Sequence, residues 1–237
     1  MNQYINVGKK VLSILEENGY EAYFIGGTSR DILLGKDVSD IDITTNALPH
    51  EVIVALSSYQ ISNKDGLYYG TVKYNIDGIE VEITTFRKEG MYVRSRRPIS
   101  VDFIKDKEVD SIRRDFTINA LYMDARGNVF DYHDGLKDLK EGMINTIGDP
   151  LIRFKEDALR IIRAIRFSLS LNMILSEEVK NAIKENAYLI NDLKESIVKR
   201  EINKMKQLKT NEELDKIFKE LNIESNCFFV FRSAPTT

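Results

Sequence analysis

The chain has 237 residues, 43% hydrophobic and 30% charged, enough to bury a substantial core without covalent staples. Its one cysteine, Cys227, excludes an internal disulfide framework and a Cys-rich zinc site, and the net charge of −3 argues against strong non-specific nucleic-acid binding. The N-terminus lacks a basic-then-apolar signal pattern and no apolar run reaches membrane-spanning length, so the expectation is a cytoplasmic protein without a membrane partner.

In chain order, Val7, Val11, Leu12, Ile14 and Leu15 follow helical spacing up to Asn18-Gly19. "EAYFIGG" reads as a short strand entering a turn, "SRDILLG" as a short helix ended by Gly35, and "DIDITT" as a half-buried strand. "LPHEVIVALSSY" starts a helix at Pro49, and Asp77-Gly78 joins two β-rich runs into a hairpin. "KEGMYVRSRRPISV" reads as a loop, and "DSIRRDFTINALYMDARGNVFDYHDG" as a helix followed by a hairpin turning at Arg126-Gly127-Asn128. After Pro150 the character changes to helices in "RFKEDALRIIRAIRFSLSLNM", "SEEVKNAIKENAYLI" and "ESIVKREINKMKQL". Residues 151–210 hold 13 Lys/Arg against 8 Asp/Glu, so this segment is basic and the remainder acidic. That asymmetry suits an RNA partner as well as it suits solvated helix faces. The pattern predicts a mixed α and β module over 1–148, a helical module over 149–210 and a short remainder over 211–237.

The chemistry concentrates in "FIGGTSRDILLGKDVSDIDITT", residues 24–45. In a strand, Asp40 and Asp42 point to one face while Ile41 and Ile43 face the core. Two adjacent carboxylates fit either a solvated strand face or a hard divalent cation with oxygen ligands, most simply Mg²⁺. Glu80 and Glu82 share a face of a later strand, where either could stand beside the pair or simply face solvent. Gly26-Gly27 permits close backbone approach, Arg30 can reach the same phosphates, and the start of a helix adds partial positive charge. Asp31 suits an orienting role through hydrogen bonds. The stretch thus has the parts to hold a nucleoside triphosphate over Mg²⁺. His50 and His133 have no metal-ligand spacing and receive no role.

"GGTSRDILLGKDVSDIDITT", "TTFRKEGMYVRSRRP", "RRDFTINALYMD" and "EDALRIIRAIRF", in this order and spacing, resemble the motifs of the class II (bacterial and eukaryotic) tRNA nucleotidyltransferase and poly(A) polymerase family over about residues 20–175. The resemblance implies an α+β fold, a polymerase-β-like head followed by a helical neck, and template-independent addition of CMP and AMP to the 3′ end of tRNA from CTP and ATP. It implies metal binding by Asp40 and Asp42 and triphosphate binding by Gly27 and Arg30. Arg114 would bind the nucleotide, with Asp115 and Asn119 near the sugar. Asp157 and Arg160 would read the base edge, and Arg163 and Arg166 would complete the phosphate contacts. Ser29 departs from the valine common in the family, beside the site residues rather than among them.

Helical geometry alone allows Asp157 and Arg160 to share a face, as a base-reading pair or as a plain intrahelical ion pair. Arg160, Arg163 and Arg166 alternate with Ile161, Ile162 and Ile165, so the arginines are expected to project from an apolar face. An A-adding enzyme or poly(A) polymerase would share every motif. A small-molecule nucleotidyltransferase would not need "RRDFTINA" and "EDALR", and a non-catalytic RNA-binding protein would not need Asp40 and Asp42. The charged, glycine-containing segment 87–98 favours AMP addition, because members of the family that add only CC tend to lack it. Little chain follows the neck, and the apolar "SNCFFVF" leaves a fragment, a minimal enzyme and a homodimer pairing through that end as three readings.

Overall fold

The computed structural model describes residues 3–90, 92–93 and 97–223. These fall into two compact units: 3–90 with 100–136, and 92–93, 97–99 and 137–223.

The first unit is built on α1 (Gln3–Glu17), β1 (Ala22–Phe24), α2 (Gly26–Leu33), β2 (Ile41–Thr45), α3 (Pro49–Ala55), β3 (Gln60–Asn63), β4 (Thr71–Ile76) and β5 (Ile79–Thr85). The strands join one seven-stranded mixed sheet in which β2 and β5 run parallel and the other neighbours antiparallel. Val7, Val11, Leu12 and Leu15 of α1 and Val52 of α3 pack on Ile41, Ile43, Val81 and Ile83. A Cβ at Gly8 would collide with the Phe24 ring, so glycine lets α1 lie close on β1. The period-2 burial of β5 puts Ile79, Val81, Ile83 and Thr85 inward and Glu80, Glu82 and Thr84 to the other face. Asp77 (φ 53°) and Gly78 (φ 81°) both adopt positive φ, the demand of the tight β4–β5 hairpin that Asp-Gly signals.

The stretch read as a loop carries strands. β6 (Arg87–Glu89) pairs with β9 (Val101–Phe103) in the first unit, and β7 (Tyr92–Val93) pairs with β8 (Arg97–Pro98) in the second. Mixed charge and glycine hid the pairing, because strands of two or three residues show no periodicity. α4 (Lys107–Ile112) begins earlier than expected, with Asp106 accepting from Glu108 N–H and Val109 N–H, and ends before Arg113. β10 (Tyr122–Met123) and β11 (Val129–Phe130) form the expected second hairpin at one sheet edge.

The chain passes between units within α5 (Gly135–Glu141). The second unit adds β12 (Met143–Ile144), α6 (Pro150–Glu156), α7 (Leu159–Leu171), β13 (Ile174–Leu175), α8 (Glu177–Asn186), α9 (Glu195–Lys206) and α10 (Asn211–Glu220). Its interior is Phe154, Ile161, Ile162, Ile165, Ile183, Ile202 and Met205. The single helix expected across 153–173 is two, because Asp157 is extended (φ −141°, ψ 100°) and its carboxylate caps Leu159 N–H at 3.0 Å. Helix α10 lies where the pattern predicts only a short remainder, and it begins with a Thr210/Glu213 capping box. Residues 225–231, the apolar end, lie outside the described residues. Among the described residues no helix is long and apolar enough to cross a membrane.

Candidate active site

β2 and its neighbour β5 bring Asp42 and Glu82 onto adjacent strands. Asp42 lies within the strand, whereas Asp40 stands one residue before it and is exposed, so the expected strand covers only one of the pair. Thr28 of α2 locks the segment: its hydroxyl donates to the Asp40 carbonyl (2.9 Å) and accepts from Asp42 N–H (2.8 Å). The parallel register places Glu82 opposite Asp42, and the antiparallel register places Lys73 opposite Glu82. Lys73 Nζ lies 3.0 Å from both Glu80 and Glu82, which raises its pKa to about 12 against the opposing effect of desolvation. Glu80 is thereby an exposed ion-pair partner, and Glu82 is the carboxylate beside Asp42.

Burial first, then the carboxylates of Glu82 and Asp40, push Asp42 up to about 6. A carboxylate so disfavoured by like charge is a place for a cation, and an all-oxygen donor set suits a hard divalent one. Among the described residues no group of three or more His, Cys, Asp or Glu has metal-holding geometry. Asp40 and Asp42 as a pair match the habit of Mg²⁺, which takes one or two carboxylates and completes its shell with water and phosphate oxygens.

α2 starts beside this pair. Gly26 has φ +65°, and a Cβ there would sit 3.2 Å from Asp42 Oδ2, so glycine permits both the turn and the close approach. The glycines thus open the helix rather than precede it, and the helix has no side-chain N-cap, leaving its first N–H groups for other acceptors. A Cβ at Gly27 would lie 3.6 Å from Arg30 Nη2. Arg30, only 7% exposed, donates to Asp31 through Nε (2.9 Å) and Nη2 (3.0 Å) and to Asn119 Oδ1 through Nη1 (2.8 Å). Asn119 in turn donates to Asp115 (3.3 Å). This chain ties α2 to the segment 115–119.

Arg114 leaves the end of α4 and is held twice. Its Nη2 donates to Asp110 Oδ2 (2.8 Å) and its Nε to the Tyr122 hydroxyl (2.9 Å). Asp110 also accepts from the Tyr122 hydroxyl (2.6 Å), Arg113 Nε (2.8 Å) and Arg87 N–H (2.9 Å). Despite desolvation, the Arg114 and Arg113 charges hold the Asp110 carboxyl well below the usual carboxylate range. The positive charge of Arg114 also opposes the rise at Asp42. Sequence reasoning missed Thr28, Asp110 and Tyr122. Only Asp110 left a signal, its helical i, i+3 and i, i+4 spacing to Arg113 and Arg114.

The helical unit places Asp157 at the α6–α7 junction and Arg160, Arg163 and Arg166 along α7. The arginines do not project freely. Arg160 is 5% exposed, and its Nη1 donates to the Arg153 carbonyl (3.0 Å) and to Glu156 (2.9 Å). Arg166 donates from Nε to Glu201 of α9 (2.6 Å), itself 2% exposed, and stacks 4.0 Å from the Phe167 ring centroid. Arg163 lies 5.2 Å from the same ring. Glu156, the other acid of "EDALR", was not singled out from the sequence, although it stands four residues before Arg160.

Residues 22–145 match the family model of the poly(A) polymerase head domain. The CCA-adding enzyme of Lactobacillus helveticus is 45% identical over 195 residues, 82% of this chain and 48% of the relative. The crystal structure of the Bacillus stearothermophilus CCA-adding enzyme in complex with CTP superposes with a TM-score of 0.84 at 32% identity, covering 95% of this chain and 54% of that one. A tRNA nucleotidyltransferase complexed with a primer tRNA and an incoming ATP analogue matches with a TM-score of 0.70 at 28% identity, covering 94% and 64%. The chain spans about half the length of the curated relatives it matches. Nucleotidyltransferases of this kind generally use a divalent metal. With its α+β sheet unit, its helices and this match across the head, the chain belongs to the poly(A) polymerase head domain family.

Proposed function

We propose that this chain carries the nucleotide-adding core of an enzyme that extends the 3′ end of tRNA with CMP and AMP, using CTP, ATP and Mg²⁺. The observation that carries the reading is the Asp40–Asp42 pair beside the open start of α2, with Arg30 and Arg114 supplying positive charge in the same unit. The names of the relatives, and their structures with CTP or with primer tRNA, support the choice of substrates.

In this reading the tRNA 3′-hydroxyl attacks the α-phosphate and pyrophosphate leaves. The contribution of Mg²⁺ held by Asp40 and Asp42 would be to neutralise phosphate charge and make the hydroxyl easier to deprotonate. The first N–H groups of α2, including that of Gly27, and the Arg30 guanidinium hold the triphosphate. Asp31 and Asn119 keep Arg30 from swinging away, and Asp115 keeps Asn119 in place. Arg114 adds a second cationic hold. Asp157 offers an acceptor and Arg160 donors to the base edge, a pattern that suits cytosine and adenine. Glu156 and the Arg153 carbonyl fix the Arg160 side chain, so little ordering remains to be done on binding. Arg163 and Arg166 are assigned to phosphate contacts, Arg166 with its Nε given to Glu201.

Within 87–98, Glu89 is bound to Arg87 and Arg113, so deletion of 91–96 spares that anchor. It should leave CMP addition and cripple AMP addition. The deciding experiment supplies tRNA lacking its 3′ end with CTP and ATP and sequences the products. Addition that stops after C, C and A supports the reading. A long A tail favours poly(A) polymerase, incorporation of AMP alone favours an A-adding specialist, and no incorporation overturns the reading.

A further inference from the structure

We infer that Asp110 is a positioning residue for nucleotide binding, setting where the Arg114 guanidinium sits and tying it to β6. This rests on the reading of Arg114 as a nucleotide-binding group.

Asp110 has a fully buried side chain, and each carboxylate oxygen takes two donors. Oδ1 accepts from Arg87 N–H at 2.9 Å and Arg113 Nε at 2.8 Å, and Oδ2 from Arg114 Nη2 at 2.8 Å and the Tyr122 hydroxyl at 2.6 Å. The Tyr122 hydroxyl then accepts from Arg114 Nε at 2.9 Å. Asp110, Tyr122 and Arg114 therefore close a triangle that fixes the guanidinium at two of its nitrogens. Its carbon also lies 5.1 Å from the Tyr122 ring centroid, and that ring packs edge-on against Phe86 and Tyr23. A flexible arginine has become a rigid charge.

The other end of the network is β6. Arg87 presents its N–H to Asp110, donates from its side chain to Glu89 at 2.7 Å and 3.0 Å, and bonds the Tyr69 carbonyl through Nη1. Arg113, 3.7 Å from Glu89, joins the same set. A single carboxylate thus receives the backbone of β6 and the guanidinium whose charge reaches Asp42. A plain helix-capping ion pair would need neither the tyrosine nor the β6 backbone.

The test uses the 237-residue chain with CTP and Mg²⁺. Asp110→Asn keeps the size of the side chain and removes its charge. It should weaken calorimetric CTP binding roughly ten- to a hundredfold, by releasing a charge-assisted hold on Arg114. In an Arg114→Ala background the same change should add less than about twofold, because its effect passes through Arg114. Tyr122→Phe, which keeps the packed ring, should weaken binding by roughly two- to tenfold and also lose its effect in that background. It decides the matter if Asp110→Asn fails to fold. A lowered melting temperature with unchanged CTP affinity, or losses that add in full to that of Arg114→Ala, would overturn the inference. If Arg114→Ala itself leaves CTP affinity unchanged, the nucleotide role of Arg114 is what fails, and the inference falls with it.

Discussion

The β2–β5 face and helix α7 treat charge in opposite ways. On the β2–β5 face of the sheet unit, Asp40, Asp42 and Glu82 crowd together, and Lys73 answers Glu82, leaving Asp42 pushed up to about 6. Along α7 of the helical unit, Arg160 meets Glu156 and Arg166 meets the buried Glu201. Charge left in excess is an invitation to a ligand, whereas charge matched inside the protein holds side chains in place. In the function proposed above, the first of these faces would take the metal and triphosphate and the second would hold the base-reading arginine in place.

The largest effect is expected at Asp42. Asp42→Ala should lower nucleotide addition by roughly a thousandfold or more, the loss of several kcal/mol of charge stabilisation. The melting temperature should stay or rise, since the variant removes a strained carboxylate. Single-turnover CMP incorporation beside a thermal melt checks both. Next is Arg166→Ala, which strips the main partner from Glu201 and should cost about 3–5 kcal/mol of stability. Urea unfolding reads that cost, and selection among the four triphosphates should hold in the fraction that stays folded. Asp157→Ala, which also loses the cap on Leu159 N–H, should act mainly on selection. An unpaired polar group at the base edge costs about 1–3 kcal/mol, roughly 5–150-fold in discrimination. Competition among CTP, ATP, UTP and GTP measures it.

How far these roles could be read from the sequence differs between the units for the same reason. Strand alternation made the outward positions of Asp42 and Glu82 legible on their separate strands, and Asp77-Gly78 marked the hairpin that brings Lys73 opposite Glu82, but only the β2–β5 register sets Glu82 beside Asp42. The fold class and family likewise followed from ordered motifs. Partnership across the chain was not legible. Thr28 bridges to Asp40 and Asp42, Asn119 reaches Arg30 across 89 positions, and Glu201 reaches Arg166 across 35. No local pattern encodes such pairs. Periodicity also ran α6 and α7 together, because one extended Asp157 leaves the apolar spacing on either side intact. The short strands of 87–103 failed for the opposite reason, being too brief to have a period.

A smaller effect follows from the raised Asp42 carboxyl. Asp42 sits near pH 6 in the folded chain against 3.8 in its ordinary state. Its contribution to stability is therefore fully present below about pH 4 and lost as pH rises through 6. Without divalent metal, wild type should lose of order 1–3 kcal/mol across that window relative to Asp42→Asn, after which the two curves run parallel. Urea unfolding at several pH values in EDTA reads the difference, and parallel curves from pH 4 upward would show that Asp42 carries no excess charge.

Calorimetry of CTP binding in Mg²⁺ and in EDTA shows whether Asp40 and Asp42 are kept for a cation and its nucleotide. Wild type should bind more tightly in Mg²⁺ by tenfold or more, and Asp40→Asn/Asp42→Asn should bind equally in both. An undiminished Mg²⁺ dependence in the double variant would contradict the account.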